Sequence, residues 1–228
     1  MSSGGPDSKK DMTCILCGET GLHGEIYSQT LRDEDSGRYR VAGCAGCGHA
    51  QTTPLPSEEE EAAYYAGDMQ PRALWKDGDQ YEFLRERSVV DTNRRLAWLE
   101  SEMPKKEGRS VVDVGSGYGF FVKRLIEEGY DAKGIEVSAE RLVLARADVG
   151  DVFHDAQVDE AFVREHEGEF DVVTTFHVIE HLRDPVSYLS YLLRLVAPGG
   201  RLLVEVPNLT DEIMYYIPNY ANHLWQIG

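Results

Sequence analysis

Cysteine is missing beyond position 47 of this 228-residue chain; the four present stand at positions 14, 17, 44 and 47. Thiol chemistry is therefore confined to a short N-terminal stretch. Basic side chains are scarce as well, with Lys+Arg 23 against Asp+Glu 40 and a formal net charge of −17. Such a balance repels phosphate backbones, and Arg and Lys are dispersed along the chain, so nucleic acid is not an expected partner. No apolar run is long enough to span a bilayer, and the polar N-terminus lacks a signal-peptide pattern. A cytoplasmic chain without a membrane span is expected. What is present, 42% hydrophobic and 10% aromatic residues, suits a globular protein with a sizeable core.

The most informative segment is Val111-Val112-Asp113-Val114-Gly115-Ser116-Gly117-Tyr118-Gly119-Phe120. It reads as an apolar strand ending in a carboxylate, three alternating glycines and the start of a helix. Without a Cβ, glycine takes positive φ and lets the backbone approach a ligand closely, with the helix N-terminus aimed at the same spot. A dinucleotide fingerprint needs its third glycine where this chain has Phe120, so a nicotinamide-type oxidoreductase is the poorer reading. Further along, Ala132-Lys133-Gly134-Ile135-Glu136-Val137-Ser138 reads as a second strand ending in an acid. Glu136 falls roughly 20 residues past the loop, where a carboxylate can accept ribose hydroxyls. A short third strand ends at Asp155-Ala156, where a helix cap or turn residue is the plainer alternative for Asp155. A fourth, Phe170 to Phe176, runs into His177-Val178-Ile179-Glu180-His181-Leu182-Arg183-Asp184-Pro185. Apolar Val186, Leu189, Leu192, Leu193 and Val196 then recur at helical spacing, before Ala197-Pro198-Gly199-Gly200 and a fifth strand from Arg201.

This order of motifs resembles the class I S-adenosylmethionine-dependent methyltransferases. The resemblance implies an α/β Rossmann-like sheet and a cofactor held by Asp113, Gly115, Ser116, Gly117, Tyr118, Gly119, Glu136, Val137, Asp155, Ala156, Phe176 and His177. In that family the first acid after the loop anchors ribose, the second receives the adenine amine, and the residues around Phe176 and His177 lie beside the sulfonium. Methyl transfer to a small molecule, such as a sugar nucleotide or secondary metabolite, is the implied activity. Imidazole titrates near pH 6.5, so His181, His177 and His223, in that order, are the candidate catalytic bases; the alternative for His181 is a residue that pins its loop by hydrogen bonding.

Cys14-Ile15-Leu16-Cys17-Gly18 and Cys44-Ala45-Gly46-Cys47-Gly48 are matched knuckles separated by 26 residues. Two C-x-x-C-G knuckles can supply a closed tetrahedral Cys₄ zinc site, structural because no coordination position remains open. Two disulfides are the alternative, disfavoured in a reducing compartment. His49 is a lesser candidate ligand. Glu25-Ile26-Tyr27 and Arg38-Tyr39-Arg40-Val41 look like ribbon strands joined by the polar turn Arg32 to Gly37.

The expected organisation is a polar tail over 1–12, a zinc ribbon over 13–53, and a helical connector and pocket cover over 54–104. A cofactor-binding core over 105–208 and the start of a substrate-side insertion over 209–228 follow. In the connector, Ser57 caps an acidic helix start, Tyr64, Tyr65 and Tyr81 stand as pocket cover or plain packing, and a helix spans about Tyr81 to Glu100. This N-terminal arrangement resembles bacterial zinc-ribbon methyltransferases of sugars and small molecules. The family closes its sheet with a further helix and an antiparallel hairpin, which the 22 residues after Val206 are too few to form. A fragment, or self-association or a partner at the sheet edge, is expected from that shortfall. It leaves a rival reading open: a non-catalytic cofactor-binding or interaction protein that works through the ribbon.

Overall fold

The computed structural model describes residues 13–20, 23–27, 40–55, 57, 59 and 80–208. Tyr64, Tyr65, the turn Arg32 to Gly37, His223 and the segment after Asn208 lie outside them. The chain divides into two units, one comprising 1–64, 180–185 and 207–228, the other 65–179 and 186–206.

In the first unit, β1 (His23–Tyr27), β2 (Arg40–Gly43) and β3 (Ala50–Thr53) form an antiparallel sheet in sequential order. The sequence reading missed β3, whose Gln51-Thr52-Thr53 lacks an apolar alternation. Val41 and Ala42 are buried, and Ala42 clusters with Cys14 and Cys44. Gln51 is buried and earns its place by hydrogen bonds: Ile15 N–H donates to its Oε1 at 2.9 Å, and its Nε2 donates to the Thr13 carbonyl at 3.2 Å. The amide thereby ties the first cysteine knuckle to β3.

The second unit starts with α1 (Gln80–Glu102) and continues as β4 (Ser110–Val114), α2 (Phe120–Glu127), β5 (Asp131–Glu136), α3 (Ala139–Val149), β6 (Phe153–Asp155), α4 (Glu160–Glu165) and β7 (Phe170–Phe176). In chain order a 3₁₀ turn (Ile179–His181), α5 (Pro185–Leu195) and β8 (Val196–Glu205) follow, with residues 180–185 counted in the first unit. The strands stand in the order β6-β5-β4-β7-β8 and all neighbours are parallel. Parallel neighbours need crossovers, and the intervening helices supply them, which is why the strands read as apolar runs rather than alternations.

Local chemistry starts these helices. Ser138 Oγ accepts from Arg141 N–H at 3.4 Å at the head of α3, and Asp159 Oδ1 accepts from Phe162 N–H at 2.9 Å at the head of α4. Pro185 opens α5, where its missing N–H costs nothing. One face of the sheet packs Val111, Val172, Phe176 and Leu203 against Leu96 and Leu99 of α1 and Phe121, Val122 and Leu125 of α2. The other packs Val112, Val114, Ile135 and Val173 against Phe162, Val163, Leu192 and Leu195. Each such side chain contributes about 1.5–3 kcal/mol of burial.

Two sequence expectations change here. On α5 the buried stripe passes through Leu192 and Leu195, flanked by Tyr188 and Leu189, so Val186 and Leu193 fall on the opposite side and are 47% and 59% exposed. Val196 leaves the helix to begin β8. Ala197 to Gly200, expected as a separate turn, belong to that strand as a bulge: Phe170 pairs with Val196 but Val172 already pairs with Arg201. A Cβ at Gly200 would lie 2.5 Å from the Asp171 carbonyl, so only glycine fits the bulge. The strand ends at Glu205, two residues before Pro207, which has no N–H to offer a ladder.

Candidate functional site

Strand order reverses at β4, which has β5 on one side and β7 on the other, and such switch points open a crevice beyond the carboxyl ends of the strands. The loop Gly115–Gly119 leaves β4 at that place. All three of its glycines have positive φ, at 76°, 56° and 75°. The N–H groups of Gly115 and Ser116 both donate to the Ile135 carbonyl, at 2.8 and 3.0 Å, drawing the loop over the end of β5. Gly134 permits that approach, since a Cβ there would meet Ser116 Oγ at 2.6 Å and the Phe153 ring at 2.4 Å. Ser116 is accordingly buried, with its side chain beneath the loop. Cβ atoms at Gly115 and Gly119 would strike Val178 and Phe153, whereas one at Gly117 would meet none of the described residues within 4 Å. Among the described residues, nothing covers the loop backbone at Gly117.

Glu136 ends β5 and is 5% exposed. Its Oε2 accepts from Gly117 N–H at 2.8 Å, and its Oε1 from Val137 and Ser138 N–H at 2.9 and 2.8 Å. A carboxylate offers about four lone-pair positions, so one on Oε2 stays open to a ligand hydroxyl beside the bare loop. Asp113 is buried within β4 and held by a 2.6 Å bond from Thr174 Oγ1. Burial pushes its carboxyl up to about 6, against the opposing pull of that hydroxyl and of Arg95. Val137 is 63% exposed, and Asp155 and Ala156 stand at the end of β6, with the Asp155 side chain exposed.

Tyr118 stacks on Phe120 at 5.7 Å and meets Tyr81 edge-on at 5.8 Å, so Tyr81 does reach the glycine loop. The Tyr81 hydroxyl donates to Asp148 at 2.9 Å, and burial together with that carboxylate raises its pKa. Phe176 differs from expectation. Its ring is buried between Phe121 and Trp98 with the Arg95 guanidinium 4.4 Å above it, so the side chain belongs to the core and only its backbone reaches the strand end.

His177 follows at the end of β7, with φ 56° and its side chain 46% exposed. Its Nε2 lies 3.1 Å from Glu205 Oε1, and that carboxylate also carries Arg94 and Arg95 of α1, each at 2.7 Å. The sequence reading assigned no role to Glu205, Arg94 or Arg95. An acid inside the apolar run Leu202-Leu203-Val204-Glu205-Val206 was the available signal. His181, on the 3₁₀ turn, belongs to the segment 180–185 of the other unit and is 10% exposed, with Nε2 3.8 Å from Glu180 Oε1.

In that first unit the Sγ atoms of Cys14, Cys17, Cys44 and Cys47 all lie within 4.8 Å of one another. The closest cross-pairs are Cys14 with Cys47 at 3.6 Å and Cys17 with Cys44 at 3.5 Å. The two knuckles repeat each other: Gly18 N–H donates to the Cys14 carbonyl and Gly48 N–H to the Cys44 carbonyl, both at 2.9 Å, with Gly18 and Gly48 at φ 74° and 75°. Four sulfurs about 3.8 Å apart are what tetrahedral Zn–S bonds of about 2.3 Å require, so this donor set fits zinc. His49 is not in the cluster; its carbonyl accepts Cys44 N–H at 2.7 Å, leaving it a backbone part of the knuckle.

Comparison with known proteins gives a family model described as a methyltransferase domain, matching residues 83–226. Among curated proteins, the ubiquinone biosynthesis O-methyltransferase of Thiobacillus denitrificans is 32% identical over 138 residues, 59% of this chain and 57% of that protein. A namesake from Ralstonia nicotianae is 34% identical over 134 residues, 56% of this chain and 53% of that protein. The chain spans about half the length of the curated relatives it matches. Among solved structures, magnesium protoporphyrin IX methyltransferase from Synechocystis with bound S-adenosylmethionine is 19% identical, with a TM-score of 0.46, over 63% of this chain and 74% of that one.

Proposed function

The chain belongs to the methyltransferase-domain family, and from that premise we propose that it moves a methyl group from S-adenosylmethionine to a small-molecule acceptor. The observation that carries the reading is the bare backbone at Gly117 lying directly over a Glu136 carboxylate with one acceptor position open. Gly115 to Gly119 would hold the methionine and ribose end, Glu136 a ribose hydroxyl, and Val137, Asp155 and Ala156 the adenine side, while Asp113, bonded to Thr174 inside β4, would act from beneath. When bound, the cofactor would supply an electrophilic methyl for an oxygen, nitrogen or carbon of the acceptor, with S-adenosylhomocysteine as the leaving group. The chain itself would contribute by holding the two partners close together, which removes a large part of the entropic barrier. An acceptor that must shed a proton needs a base, and His181 and His177 are the proposed ones.

The curated relatives named above carry ubiquinone biosynthesis O-methyltransferase in their names, which favours a small hydroxylated acceptor. A sugar nucleotide or secondary metabolite is the narrower form of the proposal. In the four-sulfur cluster we place a structural zinc that organises β1 to β3. Phe120, standing where a dinucleotide fingerprint needs glycine, weighs against a nicotinamide cofactor.

Calorimetric titration with S-adenosylhomocysteine, on the wild type and on Gly117→Arg, tests the reading. Micromolar binding in the wild type, abolished in the variant, is expected. A folded wild type that binds NAD but not S-adenosylhomocysteine would overturn it. Binding without methyl transfer to any hydroxylated, amine or C–H acceptor would favour the non-catalytic rival.

A further inference from the structure

The two cysteine knuckles repeat each other through the residue after the glycine. Cys14 N–H donates to the Glu19 carbonyl at 2.9 Å as Cys44 N–H does to that of His49 at 2.7 Å, so Glu19 and His49 hold equivalent places. A bridge between Thr13 and Thr20 closes the first knuckle around Glu19. The side chains break the repeat. Glu19 reaches across to the second knuckle, where its Oε2 lies 3.8 Å from Cys44 Sγ. Its seat there is the face of Gly46, whose Cβ, if it had one, would run into Glu19 Oε2. Gly46 is not among the glycines with positive φ, so the turn does not require a glycine at this position. The space it leaves is filled by the carboxylate.

Glu19 lies outside the group of four mutually close sulfurs and stands beside the Cys44 corner. Cys44 is buried and Glu19 is exposed, so the carboxylate joins solvent to a buried corner of the cluster. For a site that only has to keep its metal this placement is adverse, because like charges about 4 Å apart in water cost about 5-fold in affinity. A closed four-sulfur site has no open position, so its metal enters or leaves only as one metal–sulfur bond gives way. Carboxylate oxygen is an ordinary zinc donor, and here one is already in contact with a sulfur that could give way.

We propose that Glu19 is an exchange ligand of the four-sulfur site, taking the place that Cys44 Sγ gives up, so that zinc is loaded and released through this corner. This rests on the reading that zinc occupies the cluster. In the step Cys44 Sγ withdraws with its electron pair as a thiolate while Glu19 Oε2 contributes a lone pair in its stead. Four donors remain throughout, charge is conserved, and nothing is oxidised or reduced. A charge that merely repelled the cluster would need no seat on Gly46.

The test uses the full chain in its zinc form, with zinc content per chain measured first. Exchange of bound zinc for isotopically enriched zinc(II) is then followed by mass spectrometry, and Kd is measured by competition with a chelator of known affinity. Glu19→Gln and Gly46→Ala are both expected to exchange about 10-fold more slowly than wild type. Gly46→Ala keeps every charge and only fills the carboxylate's seat, so its Kd should stay within about 2-fold of wild type. Glu19→Asp, which keeps the charge but is one methylene shorter, takes its place in the test if Gly46→Ala does not fold. Exchange as fast as wild type in the charge-conserving variant overturns the proposal and leaves Glu19 a repelling charge. So does slower exchange in that variant matched by an equal tightening of Kd. A wild-type chain that carries no zinc overturns the zinc reading, and the proposal with it, before any rate is compared.

Discussion

Around β1 to β3 the side chains that pack as a buried cluster are Cys14, Ala42 and Cys44, two of them thiols. The five-stranded sheet instead buries apolar clusters on both faces, from Leu99, Leu125 and Val111 on one to Phe170, Val173 and Leu192 on the other. Among the described residues the first region buries few apolar side chains, and the proposed zinc would supply part of its order. The second buries large apolar clusters on both faces of its sheet, and no described side chain stands over the backbone at Gly117. Small sheets with little core lean on metals or disulfides for this reason. The same contrast separates two uses of glycine. In the knuckles it turns the chain so that sulfurs converge; in the β4 loop it keeps space clear.

Metal removal should break the comparison most sharply. Chelation is expected to cost the small sheet on the order of 10 kcal/mol. Amide exchange at Gly18, Cys44 and Gly48, the knuckle donors, should then become fast while β4 and β7 stay protected. An unchanged exchange pattern would mean that burial alone holds this sheet. The converse perturbation is Leu192→Ala, fully buried on α5. Chemical denaturation should report a loss of about 2–5 kcal/mol for the parallel sheet, with metal content per chain unaltered. Coupled loss of metal would show that the two regions do not keep separate accounts of their order.

The smallest effect concerns Asp113, whose carboxyl burial pushes from 3.8 up to about 6. A group whose folded pKa is raised contributes stability at low pH, and that contribution is lost as the pH climbs through the folded value. Asp113→Asn cannot ionise, so its stability relative to wild type should rise between pH 4 and pH 7, by at most about 3 kcal/mol. Thermal melts of both proteins across that range measure the difference. A gap that does not vary with pH would mean that Asp113 titrates as an ordinary surface acid.

Much of this molecule was legible in the chain. The apolar runs at Val111, Ile135 and Phe170 announced buried parallel strands because both faces of such strands are covered. The C-x-x-C-G repeats announced a four-sulfur cluster because two short knuckles leave few other ways to pair. Glycine spacing marked the loop, since positive φ at alternate positions is a local demand. These are properties of single segments, decided within a turn or a strand of the residues concerned.

Only the tertiary structure decided the rest, and each case involves groups far apart in sequence. That Leu195 rather than Leu193 faces the core depends on the roll of α5 against the sheet, which spacing alone leaves open within one residue. Phe176 was read as lining the cofactor site, but its ring lies with Phe121, Trp98 and Arg95, because a side chain's direction at a strand end is set by what packs over it. Glu205, Arg94, Arg95 and His177 meet across 111 sequence positions at most. No local pattern brings them together, since the ladder between β7 and β8 and the lie of α1 are consequences of the whole core. Segment by segment, the sequence determined which elements form and where the backbone can turn; the fold determined which side chains converge, because convergence is a long-range property of packing.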